Sequence, residues 1–247
     1  MIKYYTRACN FYHGNQAKDL IKKKLALPLC GINKIAFDNI ELFTRKKNKI
    51  NSKFLHIKDI KYCNATAQKK INLDLKKITS RRKNFLKNIN FKSPSIMGIL
   101  NLTPDSFSDG GKFNSKKKSF EHILKMIKTG ADIIDIGGES TRPGSTTIEP
   151  VKEWKRVEKV IKNFKKKFKK KCLSFDTRKS ELMVQGIKLG VDLINDVSGF
   201  EYDKNALRKL ENYDIPKVLH HMKGTPNTMQ NNPSYKNVLL DIYDFFE

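Results

Sequence analysis

The chain has 247 residues, of which 38% are hydrophobic and 30% charged, a composition typical of a folded protein with a buried core. Its formal net charge of +25 comes mostly from lysine spread along the whole chain, which favours a solvated surface over a dedicated nucleic-acid-binding patch. No run approaches the roughly 20 apolar residues of a membrane-spanning helix, and no apolar signal-peptide run follows the N-terminus. We therefore expect a cytoplasmic protein that binds neither membrane nor nucleic acid.

The character of the sequence changes near Pro94. Residues 1–92 are rich in lysine and asparagine, with short apolar groups and no catalytic motif. We expect them to form a small α+β region of unknown role, part of it a basic linker. Residues 93–247 alternate short apolar runs with amphipathic helical patterns, and we expect them to form a second, larger domain.

In this second region the pattern predicts five strands, each followed by a helix. Glycines placed directly after two of the helical patterns, Gly130 and Gly190, are typical of helix C-termini. Apolar strands that alternate with helices indicate a parallel sheet buried on both faces. The expected strands cover residues 96–100, 131–136, 173–175, 193–194 and 218–220, and the expected helices cover residues 119–129, 149–168, 180–189, 206–210 and 234–247.

Polar, glycine-rich clusters follow the C-terminal ends of these strands. In a TIM-type (β/α)8 barrel the active site lies at that end of the strands, and a doubly wound sheet also binds ligands there. The pattern alone does not choose between the two folds. The first strand is not followed by a GxGxxG phosphate-binding motif, which favours the barrel.

The first cluster, residues 101–111, holds two carboxylates, several hydroxyl groups and a Gly-Gly pair. Asn101 stands at the end of its strand, where its side-chain oxygen is suited to Mg²⁺. Asp and Ser are equally common in a capped turn before a helix, so composition does not decide between a ligand loop and a turn.

In the second cluster, residues 137–145, Arg142 is surrounded by hydroxyl residues and rigid turn residues. A guanidinium group can bind a phosphate or a carboxylate through two parallel hydrogen bonds. We therefore interpret this loop as an anion-binding loop.

The third and fourth strands end with Asp176 and Asn195. A carboxylate and a carboxamide on adjacent strands can bracket a flat heterocycle that carries N–H donors. The fifth strand ends with His220 and His221. Neighbouring strand residues point to opposite faces, so we expect packed or hydrogen-bonded histidines and not a metal pair.

These clusters also carry a resemblance to a known family. In order and spacing the chain is similar to the dihydropteroate synthases through MGILNLTPDSFSDGG at 97–111, DIGGESTRPGS at 135–145, FDTRKSELM at 175–183, INDVSG at 194–199 and HMKGTPNTMQ at 221–230. The resemblance implies a TIM-type (β/α)8 barrel that condenses 6-hydroxymethyl-7,8-dihydropterin diphosphate with p-aminobenzoate, with Mg²⁺ as the cofactor. The implied products are 7,8-dihydropteroate and pyrophosphate.

The resemblance also implies roles for individual residues. Asn101 would bind Mg²⁺ and the pyrophosphate, and Asp109 and Arg142 would be the catalytic residues, Asp109 in a loop that closes on substrate and metal. The pterin diphosphate would contact Thr141, Asp176 and Asn195. The p-aminobenzoate site would be formed by Phe107, Ser108, Arg142 and Pro143.

The sequence departs from the family in its number of strands. Members have eight barrel strands, whereas about five βα units are recognisable before Glu247, so we expect a piece of a longer gene product, inactive and poorly folded by itself. For the full-length protein the resemblance implies a homodimer. Three alternatives stay open: a methyltransferase of the same pterin-binding barrel family, a basic nucleic-acid-binding module, and a catalytically inactive regulatory paralogue.

Overall fold

The structure is a computed structural model that describes residues 2–86, 89, 91, 93–103, 115–142 and 144–247. The chain forms two compact units. Unit 1 comprises Met1–Lys83 and Lys236–Glu247, and unit 2 comprises Asn84–Tyr235. The last helix therefore lies in unit 1, whereas the sequence grouped it with the second region. Within the described ranges, no helix is long and apolar enough to cross a membrane.

Unit 1 is built on an antiparallel sheet. Its elements up to residue 83 are β1 (Ile2–His13), α1 (Gly14–Lys22), β2 (Leu27–Leu29), β3 (Ile32–Lys46), β4 (Lys49–His56), a 3-10 helix (Ile57–Tyr62) and α2 (Ala65–Thr79). The long strand β3 pairs with β1 along one edge and with both β2 and β4 along the other. Phe37, Ile40 and Leu42 of β3 are buried against Ala67 and Ile71 of α2. Unit 1 is thus a sheet covered by helices, an α+β arrangement.

Unit 2 contains a five-stranded parallel sheet. Its elements are β5 (Met97–Asn101), α3 (Ser115–Lys128), β6 (Ile133–Gly137), α4 (Pro150–Lys167), β7 (Cys172–Asp176), α5 (Ser180–Lys188), β8 (Leu193–Asp196), α6 (Ala206–Leu210) and β9 (Lys217–Leu219). The strands lie in the order β5-β6-β7-β8-β9, and every neighbouring pair is parallel. The predicted α/β fold with five parallel strands is confirmed.

One face of this sheet packs against the helices. Alternate residues of β6 and β7, among them Ile136 and Phe175, are fully buried against Val157, Ile161 and Phe164 of α4. Burying each such side chain contributes roughly 1.5–3 kcal/mol. Residues at even spacing along a strand share a face, so the intervening residues of β6 and β7 line the opposite face, called here the inner face.

The inner face is apolar at the N-terminal ends of the strands. Leu86 and Ile89, which precede β5, pack there against Ile133, Cys172 and Leu193. Burial raises the pKa of the Cys172 thiol to about 12, so this cysteine is a neutral core residue. The polar residues of the inner face therefore begin at the middle of the strands, with Asp135 and Ser174, and continue to the C-terminal ends.

The last helix, α7 (Val238–Phe246), completes unit 1. Its Leu240 is buried with Tyr5 of β1 and Phe43 of β3. Arg45 of β3 forms ion pairs with Asp241 and, at 2.8 Å, with Asp244 of the same helix. The sequence predicted a helix at residues 234–247, and its packing partner in the structure is the antiparallel sheet.

Candidate ligand-binding site at the strand ends

Four residues form one row across the C-terminal ends of β5 to β8. Asn101, Gly137, Asp176 and Asn195 are successive register partners in the parallel sheet. A Cβ atom at Gly137 would lie 3.4 Å from both the Asn101 Oδ1 and the Asp176 Oδ2 atoms. The absence of a side chain at Gly137 therefore leaves open the space between two oxygen-bearing groups. Parallel-sheet proteins bind their ligands at this end of the strands.

A buried carboxyl group lies one layer below this row. Asp135 is two residues before Gly137 on β6 and is 4% exposed. It accepts a hydrogen bond of 3.1 Å from the Asn195 Nδ2 atom. Burial raises the pKa of Asp135, although the neighbouring Ser174 and Asn195 act in the opposite direction. Asp135 therefore supports the row from beneath, and it anchors the Asn195 side chain.

Asp176 carries the one carboxyl group among the four residues of the row, and its pKa is strongly shifted. Burial raises its pKa to about 8, and the negative charges of Asp135, Glu153 and Asp196 add to the effect against the opposing charge of Arg178. Below that pH the Asp176 carboxyl is mostly protonated. A strongly perturbed carboxyl group at a strand end indicates a functional site, because a ligand that offers N–H donors would stabilise the ionised form.

The neighbouring Asp196 has a structural role. Its two carboxyl oxygens accept hydrogen bonds from the backbone N–H groups of Ser198 and Phe200, at 2.8 and 3.0 Å, in the turn after β8. Its side chain is fully buried. Asp196 thus fixes the turn that follows Asn195 and leaves the carboxamide of Asn195 as the polar group of β8 in the row.

The two histidines after β9 are both hydrogen-bonded. The His220 Nε2 atom lies 2.8 Å from the Asn195 Oδ1 atom, and the His221 Nε2 atom lies 3.0 Å from the Tyr235 hydroxyl oxygen. The two rings have different partners, in agreement with the alternation of side chains along a strand. Of the two predicted states, packed or hydrogen-bonded, the structure shows hydrogen bonds for both histidines.

The second loop is held by a buried network of charges. Glu139 accepts hydrogen bonds from Arg178 Nε and Nη2, at 3.2 and 2.8 Å, and from Lys179 Nζ at 3.1 Å. The Lys179 ammonium also contacts the Glu153 carboxylate. All four side chains are almost fully buried. Burial alone would raise the pKa of Glu139, but its hydrogen bonds and the charges of Arg178 and Lys179 lower it overall.

Further contacts fix the backbone on either side of Arg142. The Ser145 hydroxyl donates to the carbonyl oxygen of Ser140 at 2.7 Å, and the Ser145 N–H donates to the carbonyl oxygen of Arg142 at 3.0 Å. The Gly144 N–H donates to the carbonyl oxygen of Pro226, at 3.2 Å. The Arg142 side chain itself is exposed. A guanidinium group on a fixed backbone is suited to bind an anion from solution.

The predicted site residues fall into two groups. Asn101, Asp176 and Asn195 lie together in the row, and Thr141 and Arg142 lie in the anchored second loop. Four others, Phe107, Ser108, Asp109 and Pro143, lie outside the described residues. The functional roles of all these residues stay predictions.

Sequence reasoning missed several residues that build the site. Asp135 had a recognisable signal, because it is a charged residue inside the apolar run of β6. For His220 the sequence predicted packing or a hydrogen bond, but it did not identify Asn195 as the partner. Arg178 and Lys179 gave no signal, since a basic pair after a strand is ordinarily exposed.

The described residues contain no group of three or more His, Cys, Asp or Glu side chains that could hold a metal ion. Asn101 offers one amide oxygen at the open end of the row, next to the space above Gly137. Mg²⁺ commonly takes one or two protein oxygens and fills its other positions with water and substrate phosphates. The donor at Asn101 therefore fits Mg²⁺ only together with a phosphate-bearing ligand.

Comparison with known proteins agrees with this geometry. The family model described as pterin binding enzyme matches residues 97–247. The dihydropteroate synthase of Haemophilus influenzae is 43% identical over 155 residues, which are 62% of this chain and 55% of that protein. The chain thus spans about half the length of the curated relatives that it matches.

Solved structures give the same result. The dihydropteroate synthase of Yersinia pestis, in complex with a sulfonamide drug, is 39% identical to this chain, with a TM-score of 0.59. The match covers 64% of this chain and 57% of the Yersinia pestis chain. The dihydropteroate synthase of Xanthomonas albilineans with 4-aminobenzoic acid is 37% identical, with a TM-score of 0.58, and the match covers 64% of this chain and 55% of that one. The resemblance drawn from the motifs is confirmed, and the chain belongs to the pterin-binding enzyme family.

Proposed function

We propose that this chain carries the pterin-binding part of a dihydropteroate synthase. The reaction joins 6-hydroxymethyl-7,8-dihydropterin diphosphate to p-aminobenzoate and releases pyrophosphate. The observation that carries the proposal is the row of Asn101, Asp176 and Asn195 at one end of a parallel sheet. The names of the curated relatives support the same reaction.

The inner face matches the hydrogen-bonding edge of a pterin. That edge carries an amino group and a ring N–H as donors beside a carbonyl oxygen. The ionised Asp176 carboxylate accepts from two donors at once, and the Asn195 carboxamide offers both a donor and an acceptor. Asp135 holds Asn195 in place from the layer below. Two polar groups on adjacent strands thus suffice to orient a flat, donor-rich ring.

Arg142 and Thr141 would serve the anionic parts of the two substrates. The exposed guanidinium of Arg142 can bind the p-aminobenzoate carboxylate or a departing phosphate through two hydrogen bonds. Phe107, Ser108 and Pro143 would complete the p-aminobenzoate site, and Asp109 would lie in the loop that closes over it. The buried contacts of Glu139 keep the backbone around Arg142 in one geometry.

Asn101 would hold Mg²⁺ at the phosphate end of the row. When bound, Mg²⁺ would stabilise the charge that develops on the leaving pyrophosphate. The contribution of Asn101 is a rigid position, because it is the last residue of β5 and its backbone pairs with β6. Its amide oxygen is thereby directed to the same space as the oxygen of Asp176.

The chemistry is a displacement at the methylene carbon of the pterin. The bond from this carbon to the diphosphate oxygen breaks, and a bond to the arylamine nitrogen forms with loss of one proton from that nitrogen. The arylamine is neutral near pH 7, so no strong general base is needed. The residues of this chain act by positioning the two substrates and by stabilising charge.

We also propose that β5 to β9 are the first five strands of a TIM-type (β/α)8 barrel. In support, the strands are parallel and lie in sequence order, and the polar row is at their C-terminal ends. The inner face of the sheet would then be the interior of the barrel.

Isothermal titration calorimetry tests the function. With Mg²⁺ present we expect the protein to bind the pterin diphosphate, and Asp176→Asn to weaken that binding at least tenfold with little effect on p-aminobenzoate. Arg142→Ala should act mainly on p-aminobenzoate and the anion. Lys162→Gln, on the exposed surface of α4, is the matched control.

Two outcomes would contradict the proposal. Equal losses for both ligands in both variants would remove the separate subsites. Binding of a methylated reduced folate in preference to the pterin diphosphate would favour a methyltransferase of the same family.

A further inference from the structure

Three side chains of the inner face form a continuous chain of hydrogen bonds. The Asn195 Nδ2 atom donates to the Asp135 Oδ2 atom at 3.1 Å, and the Asn195 Oδ1 atom lies 2.8 Å from the His220 Nε2 atom. Asp135 is on β6, Asn195 is on β8 and His220 directly follows β9. The carboxamide of Asn195 is therefore held from both sides.

The chemistry of the three groups fixes where the protons are. In its ionised form the Asp135 carboxylate has only acceptors, so the amide NH₂ group of Asn195 faces it, as the hydrogen bond from Nδ2 shows. The Asn195 oxygen then faces His220, and only a protonated Nε2 atom can donate to it. A neutral His220 is thus the Nε2–H tautomer, with Nδ1 as an acceptor.

The contact of His220 is not explained by core packing. The His220 side chain is exposed, and β9 before it has only three residues. The adjacent His221 has a local partner, Tyr235. The ring of His220 instead reaches a residue that is 9% exposed and that belongs to the ligand-binding row.

We propose that His220 is a positioning residue of the pterin site, acting through Asn195. This inference rests on the proposed function. With Nδ2 held by Asp135 and Oδ1 held by His220, the carboxamide has one N–H and one oxygen lone pair left for a ligand. Their directions are fixed before the ligand binds, so the free energy of ordering Asn195 is not subtracted from the binding energy.

The His220 donor sets which edge of a pterin fits. If the carboxamide rotated by 180°, its oxygen would face the Asp135 carboxylate and its NH₂ group would face His220. Two acceptors would then oppose each other, and the donor and acceptor offered to the ligand would exchange places. His220 and Asp135 together exclude that rotamer, and His220 is thereby also a specificity-determining residue.

Calorimetric titration of the whole protein with 6-hydroxymethyl-7,8-dihydropterin diphosphate tests the role of the donor. His220→Leu removes it, and we expect about a tenfold loss of pterin affinity with p-aminobenzoate affinity unchanged. His220→Gln supplies an N–H donor and should recover affinity to within about threefold of the unaltered protein. His221→Leu is the matched control and should leave pterin affinity unchanged. On an Asn195→Ala background, His220→Leu should have no further effect, because its action passes through Asn195.

The tautomer gives a readout that is independent of ligand binding. Long-range ¹H–¹⁵N correlation of the His220 ring should show the proton on Nε2 in the free protein. A proton on Nδ1 with an unprotonated Nε2 would overturn the inference. Unchanged pterin affinity in His220→Leu would also overturn it, and so would equal losses of affinity in His220→Leu and His220→Gln. If the unaltered protein binds no pterin, the proposed function fails and the inference with it. Wild-type binding without an effect of His220→Leu overturns the inference alone.

Discussion

The carboxyl group of Asp241 in unit 1 and the carboxyl groups on the inner face of unit 2 have opposite pKa shifts. In unit 1 the carboxylate of Asp241 accepts from Arg45, which lowers its pKa. At the strand ends of unit 2, burial raises the pKa of Asp135 and of Asp176. A lowered carboxyl pKa means that the charged form stabilises the fold, whereas a raised pKa means that the charged form destabilises it.

This difference separates charges that stabilise the fold from charges that we propose to be functional. The ion pairs between α7 and the antiparallel sheet of unit 1 join elements of one fold and need no ligand. The carboxyl groups on the inner face of unit 2 lie close together, Asp135 buried and Asp176 half-buried, at a cost to stability that a ligand with donor groups would offset. Glu139 of unit 2 lies behind the site and has a lowered pKa, so it belongs with the structural charges.

We expect the largest effect from the buried network behind the second loop. Lys179→Met removes the cation that contacts both Glu139 and Glu153. The variant should lose roughly 3–5 kcal/mol of the free energy of unfolding, because two buried carboxylates lose a partner. Urea denaturation followed by circular dichroism measures this loss.

The matched control is Lys162→Met on the exposed surface of α4. Lys162 pairs with Glu158 at 2.6 Å, and its side chain is 53% exposed. The change should cost at most about 0.5 kcal/mol. If Lys179→Met cost no more than this control, the buried network would not be structural.

Asp176→Asn should have a smaller effect of opposite sign on the free protein. The folded-state pKa of about 8 lies above the value of about 3.9 for an unfolded aspartate. The stability of the unaltered protein therefore falls as the pH rises from about 4 to 8, because the unfolded state releases its proton first. The neutral amide lacks this penalty, and the variant should melt a few degrees higher at pH 8 than the unaltered protein.

Thermal melts at pH 5 and at pH 8 test the sign. The stabilisation by Asp176→Asn should be larger at pH 8. Asp203→Asn is the counterpart, because hydrogen bonds from Ser180 and Asn205 lower the Asp203 pKa in spite of burial. That variant should be destabilised at pH 8, and stabilisation by both changes would refute the distinction between the two kinds of carboxyl group.

The sequence was sufficient to predict the local structure of unit 2 and the position of the row. Apolar runs that alternate with helical patterns predicted five parallel strands, and the structure has them. Each strand is short, so its polar end was easily recognised, and this placed Asn101, Asp176 and Asn195 at the site. The second loop, residues 137–145, was interpreted as an anion-binding loop because Arg142 stands among hydroxyl and turn residues, and this interpretation stays a prediction.

Long-range packing was not predictable in the same way. The pattern of residues 234–247 shows an amphipathic helix, but an apolar stripe does not specify the surface that covers it. Arg178 and Lys179 read as exposed residues because the two glutamates that bind them are 26–40 residues away in the chain. His220 likewise meets Asn195 across 25 residues. Such contacts depend on the order of the strands, which periodicity does not encode.

The smallest expected effect concerns the packing of α7 in unit 1. Arg45 is 16% exposed and pairs with both Asp241 and Asp244. Arg45→Met should cost about 1 kcal/mol, a value near the upper end for pairs that are partly solvated. Because unit 2 has its own core, the loss should appear as faster amide hydrogen exchange in α7 and β3 and not in β6 or β7.

Salt and a second cation of unit 1 sharpen this last prediction. High ionic strength screens partly exposed pairs, so 1 M salt should shrink the difference between Arg45→Met and the unaltered protein. Lys3 also pairs with Asp244, at 3.2 Å, but its side chain is 54% exposed, and Lys3→Met should leave the exchange of α7 unchanged. Equal acceleration of exchange in α7 and in β6 after Arg45→Met would show that the two units unfold together. The ion pairs of unit 1 and the inner-face carboxyl groups of unit 2 would then contribute to one shared stability, and their opposite pKa shifts could no longer be assigned to separate parts of the molecule.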